Sequence, residues 1–380
     1  ALLVPALLVV ALGALAGSLA GCTTGRLSSA NERLERQLIE QRLDPAQIEL
    51  PWDLTPEMKA WVGKRVPRIG SAHTRLTLLL HYLLSSDQLG IQYEKGYTGT
   101  AAEVFETRRA NCLSFSHLFV GMARQLGVPV YYLGVKEIEG YEQEGDLLIL
   151  SGHVTVGHGP RQERLILEFA LGPEVDYHDV EPLSDLTALA LHHSNRGAEL
   201  MRAGRLEEAV ATLALATRLD PQLPAGWANL GVGLRRLDRW QEAEAAYRQA
   251  IDADPRFTTA YQNLAALLRR DGRHEEAGEL LAVMADIGPR NPYSYLALGD
   301  LSLARGRLDE ARRFYKKALD RYGRHADTFA AMGTLELTAG DRVRAERWLS
   351  RAREIDPEAE RVQSLENRLA ATANNAQPQI

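Results

Sequence analysis

A single period governs the second half of this 380-residue chain. Gly204, Asp238, Gly272, Gly306 and Gly340 stand 34 residues apart, and so do Ala209, Ala243, Ala277, Ala311 and Ala345. Gly197, Gly231, Ala265, Gly299 and Gly333 make a third series. A fourth runs through Pro221, Pro255, Pro289 and Pro357, with Gly323 at the remaining step. Separate features that share one period of this length mark a stack of supersecondary units, none able to bury its apolar face alone. Two antiparallel helices per unit fit the pattern. The small residues at the third series allow close helix approach, the glycines supply the turn, and Trp227, Tyr261, Tyr295 and Phe329 fill the space between hairpins.

The segment "WANLGVGLRRLDRWQEAEAAYRQAIDADP" resembles the tetratricopeptide pattern. The resemblance implies five repeats over 184–358, then a capping helix around "RVQSLENRLA" and a disordered tail within 359–380. It also implies a groove that receives a protein or peptide partner. Asn195, Asn229 and Asn263 keep one inner-helix position and are the candidate groove residues. Their neighbours Ser194, Ala228 and Gln262, with Leu296 one repeat on, carry no positive charge. That argues against a C-terminal carboxylate as the ligand.

The opening of the chain raises a different matter. Ala1 to Ala20 is apolar and uncharged, long enough to span a bilayer, and is followed by "LAGC". The stretch resembles a bacterial lipoprotein signal peptide (1–21) with lipidation at Cys22. Residues 22–50 are then expected to form a tether with one short helix. Thr23 in place of Asp directs the expectation to the bacterial cell envelope, lipid-anchored at the outer membrane and facing the periplasm. Net charge is −6 and no basic stretch is interleaved with aromatics, so a nucleic-acid partner is not expected. Two cysteines, Cys22 and Cys112, make no disulfide framework. No histidine set has metal-ligand spacing, and no acidic calcium loop is visible, so no metal or cofactor is expected.

Between these regions, 51–183 reads as an α+β domain. Helices are expected at Arg75–Leu84 and within Thr107–Leu126, the latter stopped by Gly127 and Pro129. Strand-like runs follow at Val128–Val135, Asp146–Gly157 and Glu163–Ala170.

Cys112 is the candidate nucleophile. Asn111 can cap a helix that starts at Cys112, which sets the sulfur where the helix dipole and free N–H groups favour negative charge and could stabilise an oxyanion. A thiol nucleophile needs a base within reach, itself oriented by an acceptor. His153 on one strand and Glu168 after the next turn supply both types. Among the other histidines, His117 lies one turn past Cys112 and reads as structural.

With the order helix-start cysteine, strand histidine, acidic residue on the page, "TAAEVFETRRANCLSFSHLFVGMARQLGVPVYYLGV" resembles the core motif of the transglutaminase-like superfamily. The resemblance covers roughly Leu76 to Glu174. It implies a papain-type α+β fold ahead of the all-α repeat solenoid. It also implies Cys112 as nucleophile, His153 as general base then acid, and Glu168 as orienter. Glu168 stands where the family usually has Asp, and Asp176 is the alternative third residue. Tyr93 and Tyr97 lie where the family often places a side chain near the oxyanion. Two functions follow as expectations. One is a peptidase, amidase or acyltransferase working through a Cys112 thioester, with the repeats recruiting partner or substrate. The other is a non-catalytic scaffold built on a degenerate domain.

Overall fold

Hydrophobic spacing places the first helix. Leu34 and Leu38, four residues apart on one helical face, are buried in α1 (residues 32–40), and Leu43 follows them inward. The structure, a computed structural model, describes residues 32–144, 147–169, 180–287 and 292–374. The expected signal peptide (1–21), Cys22 and Asp176 fall outside these residues. The expected tether is therefore corrected over 32–50: this part is packed, because its leucines recur at helical spacing.

Two compact units divide the chain, one taking Ala1–Gly140 and Gly152–Asp220, the other Tyr141–Ser151 and Pro221–Ile380. In the first unit, α2 (Pro56–Arg65), α3 (Ala72–Leu84) and α4 (Ala101–Thr107) surround α5 (Cys112–Gln125). Every residue of α5 from Leu113 to Ala123 is buried, as expected for a helix with an apolar face this wide. Gly121 is required there, since a Cβ would lie 2.2 Å from the Trp52 carbonyl oxygen. The helix starts at Cys112 and not at Thr107 for a local reason. Thr107 ends α4, Arg108 turns left-handed (φ 62°), and β2 (Arg109–Ala110) pairs in parallel with β1 (Gln92–Tyr93).

After α5 come β3 (Tyr131–Glu144), β4 (Leu147–His158), β5 (Leu165–Leu167) and β6 (Val180–Leu183), ordered β5–β4–β3–β6 in one sheet. β5 is shorter than the apolar run around it, and β6 had no sequence signal of its own. α6 (Asp185–Arg202) and α7 (Leu206–Leu219) complete the unit as a helical hairpin, where the 34-residue period places the first repeat. Arg124 of α5 clasps Asp185 with bonds of 2.9 and 2.7 Å, both side chains largely buried. The division expected at 183/184 thus separates a repeat motif from its neighbour but cuts through a packed unit.

The second unit holds the hairpins α8/α9 (Pro224–Arg236, Trp240–Ala253), α10/α11 (Thr258–Arg270, His274–Ile287), α12/α13 (Pro292–Ala304, Leu308–Tyr322) and α14/α15 (Ala326–Thr338, Arg342–Arg353), then α16 (Glu360–Asn374). The 34-residue series reappear as geometry. A Cβ at Gly231 would stand 2.4 Å from the Tyr247 ring, and one at Gly299 2.2 Å from Tyr315. Trp227 and Tyr261, at equivalent positions, donate to the carbonyls of Pro221 and Pro255 at 2.9 and 3.0 Å. Arg361 ties α16 to Asp300 of α12, which also accepts from Tyr315 of α13. Among the described residues, no helix is long and apolar enough to cross a membrane.

Candidate active site

The site begins with a cap. Asn111, 5% exposed, is in extended conformation, and its Oδ1 accepts the Ser114 N–H at 2.8 Å, which starts α5 at Cys112. This bond satisfies one of the first-turn amides and leaves those of Cys112 and Leu113 without intrahelical acceptors. The Cys112 thiol is free and partly exposed. A sulfur here sits beside N–H groups that can receive a developing oxyanion.

His153 comes from the sheet. Along β4, His153, Thr155 and Gly157 share one face, opposite the buried Val154 and Val156. The imidazole is buried, and its Nε2 lies 2.9 Å from Glu168 Oε2. Cys112 is the other group that acts on the ring, favouring its charged form. Burial acts to lower the histidine's pKa. The hydrogen bonds to Cys112 and Glu168, and the negative charge both can carry, outweigh burial and raise it from 6.5 to about 9. At neutral pH the imidazole is therefore protonated, with the Glu168 carboxylate beside it.

The length of Glu168 has a geometric reason. β4 and β5 pair antiparallel with Val156 opposite Leu167 and His158 opposite Leu165. Continuing that register sets Glu168 across from Thr155, diagonal to His153. Diagonal neighbours are farther apart than direct ones, and a long side chain spans the gap. The other carboxylate oxygen, Oε1, accepts the Phe169 N–H at 2.8 Å, which fixes the rotation of the group.

Tyr93 stands at the open side, about half exposed. Its pairing opposite Ala110 brings it beside the start of α5. Burial raises its pKa, and the negative charges of Cys112 and Glu168 raise it further, so the phenol keeps its proton. The Tyr97 ring goes elsewhere, under the Arg109 guanidinium with its hydroxyl 3.4 Å from Thr107. What Tyr97 gives the site is its carbonyl, which accepts the Asn111 N–H at 3.2 Å. Phe169 stacks on Phe115 at 4.1 Å and forms the floor beside Glu168.

His117 is fully buried, bonded through Nδ1 to the Tyr132 hydroxyl at 2.9 Å, and held neutral by burial and by the neighbouring His192 and His193. It packs between Trp52, Tyr132 and His192. In the repeats, Asn229 and Asn263 are 4% and 0% exposed. Their expected place in an open groove is corrected: both are buried. Asn195 is half-buried. Sequence reasoning did not single out Thr98, Ser114, Phe169 or Glu199 as site residues. No spacing signal could link Thr98 to Glu199, which meet only through tertiary packing.

Residues 75–143 match the model of the transglutaminase-like superfamily, and residues 228–292 and 302–369 match models of the tetratricopeptide repeat. No curated protein matches the chain. Among solved structures, YrrB, described as a TPR protein with an unusual peptide-binding site, is 20% identical with a TM-score of 0.35, over 47% of this chain and 92% of its own. PilF of Pseudomonas aeruginosa is 22% identical with a TM-score of 0.42, over 49% of this chain and 85% of its own. A thermophilic TPR protein of Thermus thermophilus is 22% identical with a TM-score of 0.40, over 48% of this chain and 97% of its own. The chain carries a transglutaminase-like domain at 75–143, in a region of mixed helix and sheet, followed by a helical array with tetratricopeptide repeats within 228–369.

Proposed function

We propose that Cys112, His153 and Glu168 form a thiol acyl-transfer site acting on a peptide-type amide, with the repeats recruiting a protein partner or substrate. The Cys112 thiolate attacks the amide carbonyl carbon, and the carbonyl electron pair moves to oxygen, toward the amides that open α5. The His153 imidazolium gives its proton to the departing amine as the C–N bond breaks, leaving a Cys112 thioester. His153, now neutral, takes a proton from water or an incoming amine, which displaces the sulfur and restores the thiolate and imidazolium. Glu168 holds the ring throughout. The observation that supports this reading is the Glu168 carboxylate 2.9 Å from His153, with Cys112 favouring the charged form of the same imidazole.

The reading of a non-catalytic scaffold drew on glutamate standing in for aspartate. A carboxylate 2.9 Å from His153 supports the catalytic reading over that one. The same proposal includes the envelope: an N-terminal lipid on Cys22 would anchor the protein at the outer membrane, facing the periplasm. Cell fractionation with Cys22→Ala compared against wild type tests it, and equal membrane association of both would refute the lipid anchor.

The chemistry is tested by labelling. Iodoacetamide at neutral pH is expected to alkylate Cys112 roughly tenfold faster in wild type than in His153→Ala. A thiol that labels only after denaturation refutes the enzymatic reading.

A further inference from the structure

The first repeat helix reaches the thiol site through one loop residue, Thr98. This residue is 1% exposed, and all three of its polar groups are engaged. Its N–H donates to Glu199 Oε1 at 2.6 Å, and its carbonyl accepts from Arg196 at 3.2 Å. Both partners belong to α6. Its hydroxyl accepts from Asn111 Nδ2 at 2.8 Å. Asn111 is the cap of α5, so only its own side chain separates this contact from the start of the helix that carries Cys112.

The same loop holds the cap from the other side. Gly99 N–H donates to the Ser114 hydroxyl at 2.9 Å, and that hydroxyl donates to Asn111 Oδ1 at 2.8 Å. The orientation of the Asn111 amide is thereby fixed, with oxygen toward Ser114 and nitrogen toward Thr98. If Thr98 shifts, the nitrogen loses its acceptor and the amide is held from the Ser114 side alone. The Ser114 amide bond, which holds the first turn of α5 in shape, depends on that orientation. A largely buried carboxylate such as Glu199 is costly without partners, and the Thr98 amide and Arg196 are among those it has.

We infer that Glu199 and Arg196 of the first repeat are positioning residues of the thiol site: they hold the Thr98 backbone, Thr98 holds the Asn111 amide, and Asn111 sets the helix start that presents Cys112. The first repeat is then a part of the site's scaffold as well as the beginning of a binding array. This inference rests on the thiol reading above.

The test uses the full chain and the rate and pH profile of iodoacetamide labelling at Cys112. Glu199→Ala removes the acceptor for Thr98 N–H, Glu199→Gln keeps one, and Thr98→Val removes the hydroxyl while leaving the backbone. Glu208→Ala, in an exposed pair with Arg205 on the same repeat, is the control. Glu199→Ala and Thr98→Val are expected to slow labelling about three- to tenfold and to move the midpoint of the pH profile upward, because the first-turn amides no longer favour the anion. Glu199→Gln is expected to stay within about twofold of wild type, and the control to match it. Loss of packing alone would lower the melting temperature and leave that midpoint in place. Wild-type rate and midpoint in a folded Glu199→Ala or Thr98→Val overturn the inference while leaving the thiol reading intact. Should Glu199→Ala fail to fold, Thr98→Val decides alone. Equal labelling of wild type and His153→Ala overturns the thiol reading, and this inference with it.

Discussion

At the scale of single residues, the site turns on how far a carboxylate must reach. Glu168 lies on the diagonal from His153, so the extra methylene of glutamate is what closes the 2.9 Å bond. Glu168→Asp, although it installs the residue usual in resembling proteins, is expected to slow Cys112 labelling or turnover about tenfold, through loss of one charge-assisted bond. An unchanged rate would show that the diagonal does not limit the reach. The charge state of His153 gives a second prediction. Its pKa is 6.5 in the unfolded chain and about 9 when folded. A raised folded pKa contributes stability that is fully present below 6.5 and is lost as pH rises through about 9. The melting temperature of wild type relative to His153→Gln is therefore expected to fall between about pH 6 and about pH 10. A constant difference across that range would mean that the imidazolium is not held by its neighbours.

At the scale of elements, glycine spacing decides how closely helices meet. Gly231 faces the fully buried Tyr247, with 2.4 Å between a would-be Cβ and the ring. Gly231→Ala improves helix propensity by about 1 kcal/mol, yet its methyl would overlap the buried ring unless the ring shifts. The net expectation is a loss of roughly 1–2 kcal/mol, read by urea denaturation. Stability equal to or above wild type would show that the hairpin relaxes. These elements are legible in the sequence because their signals are local: Gly204, Gly272, Gly306 and Gly340 all adopt positive φ at the turns, and Asp238 takes the same conformation at φ 56°. The helix start at Cys112 is legible too, through the Asn111 cap. The expectation of a tether fails because Leu34, Leu38 and Leu43 are too few to outweigh a polar segment until the surface that buries them is known. Asn229 and Asn263 read as groove residues because their shared position repeats. Repetition alone does not say which way an amide points.

At the scale of the whole molecule, the first repeat packs with the domain before it. Arg124–Asp185, Thr98–Glu199 and the edge-to-face His117–His192 pair all join α5 or its cap loop to α6. A form ending at Leu183 leaves Arg124 without its carboxylate and His117 without cover, and a buried charge stripped of its partner costs about 3–5 kcal/mol. It is expected to melt well below a form ending at Asp220 and to lose fast Cys112 labelling. Equal melting of the two forms would restore the boundary at 183/184 as a packing boundary.

The sequence by itself determined the repeat array, the helix that opens on Cys112, and the cysteine, histidine and glutamate of the candidate site. Each is written in local spacing: a 34-residue period, a cap, an alternating strand. Only the tertiary structure decided that Glu168 spans a diagonal, that Tyr93 and not the Tyr97 ring lies beside the thiol, and that Glu199 reaches Thr98. Those relations depend on strand register and on the docking of α6 against the domain. Both are set by burial of side chains far apart in the chain, and local spacing carries no record of them.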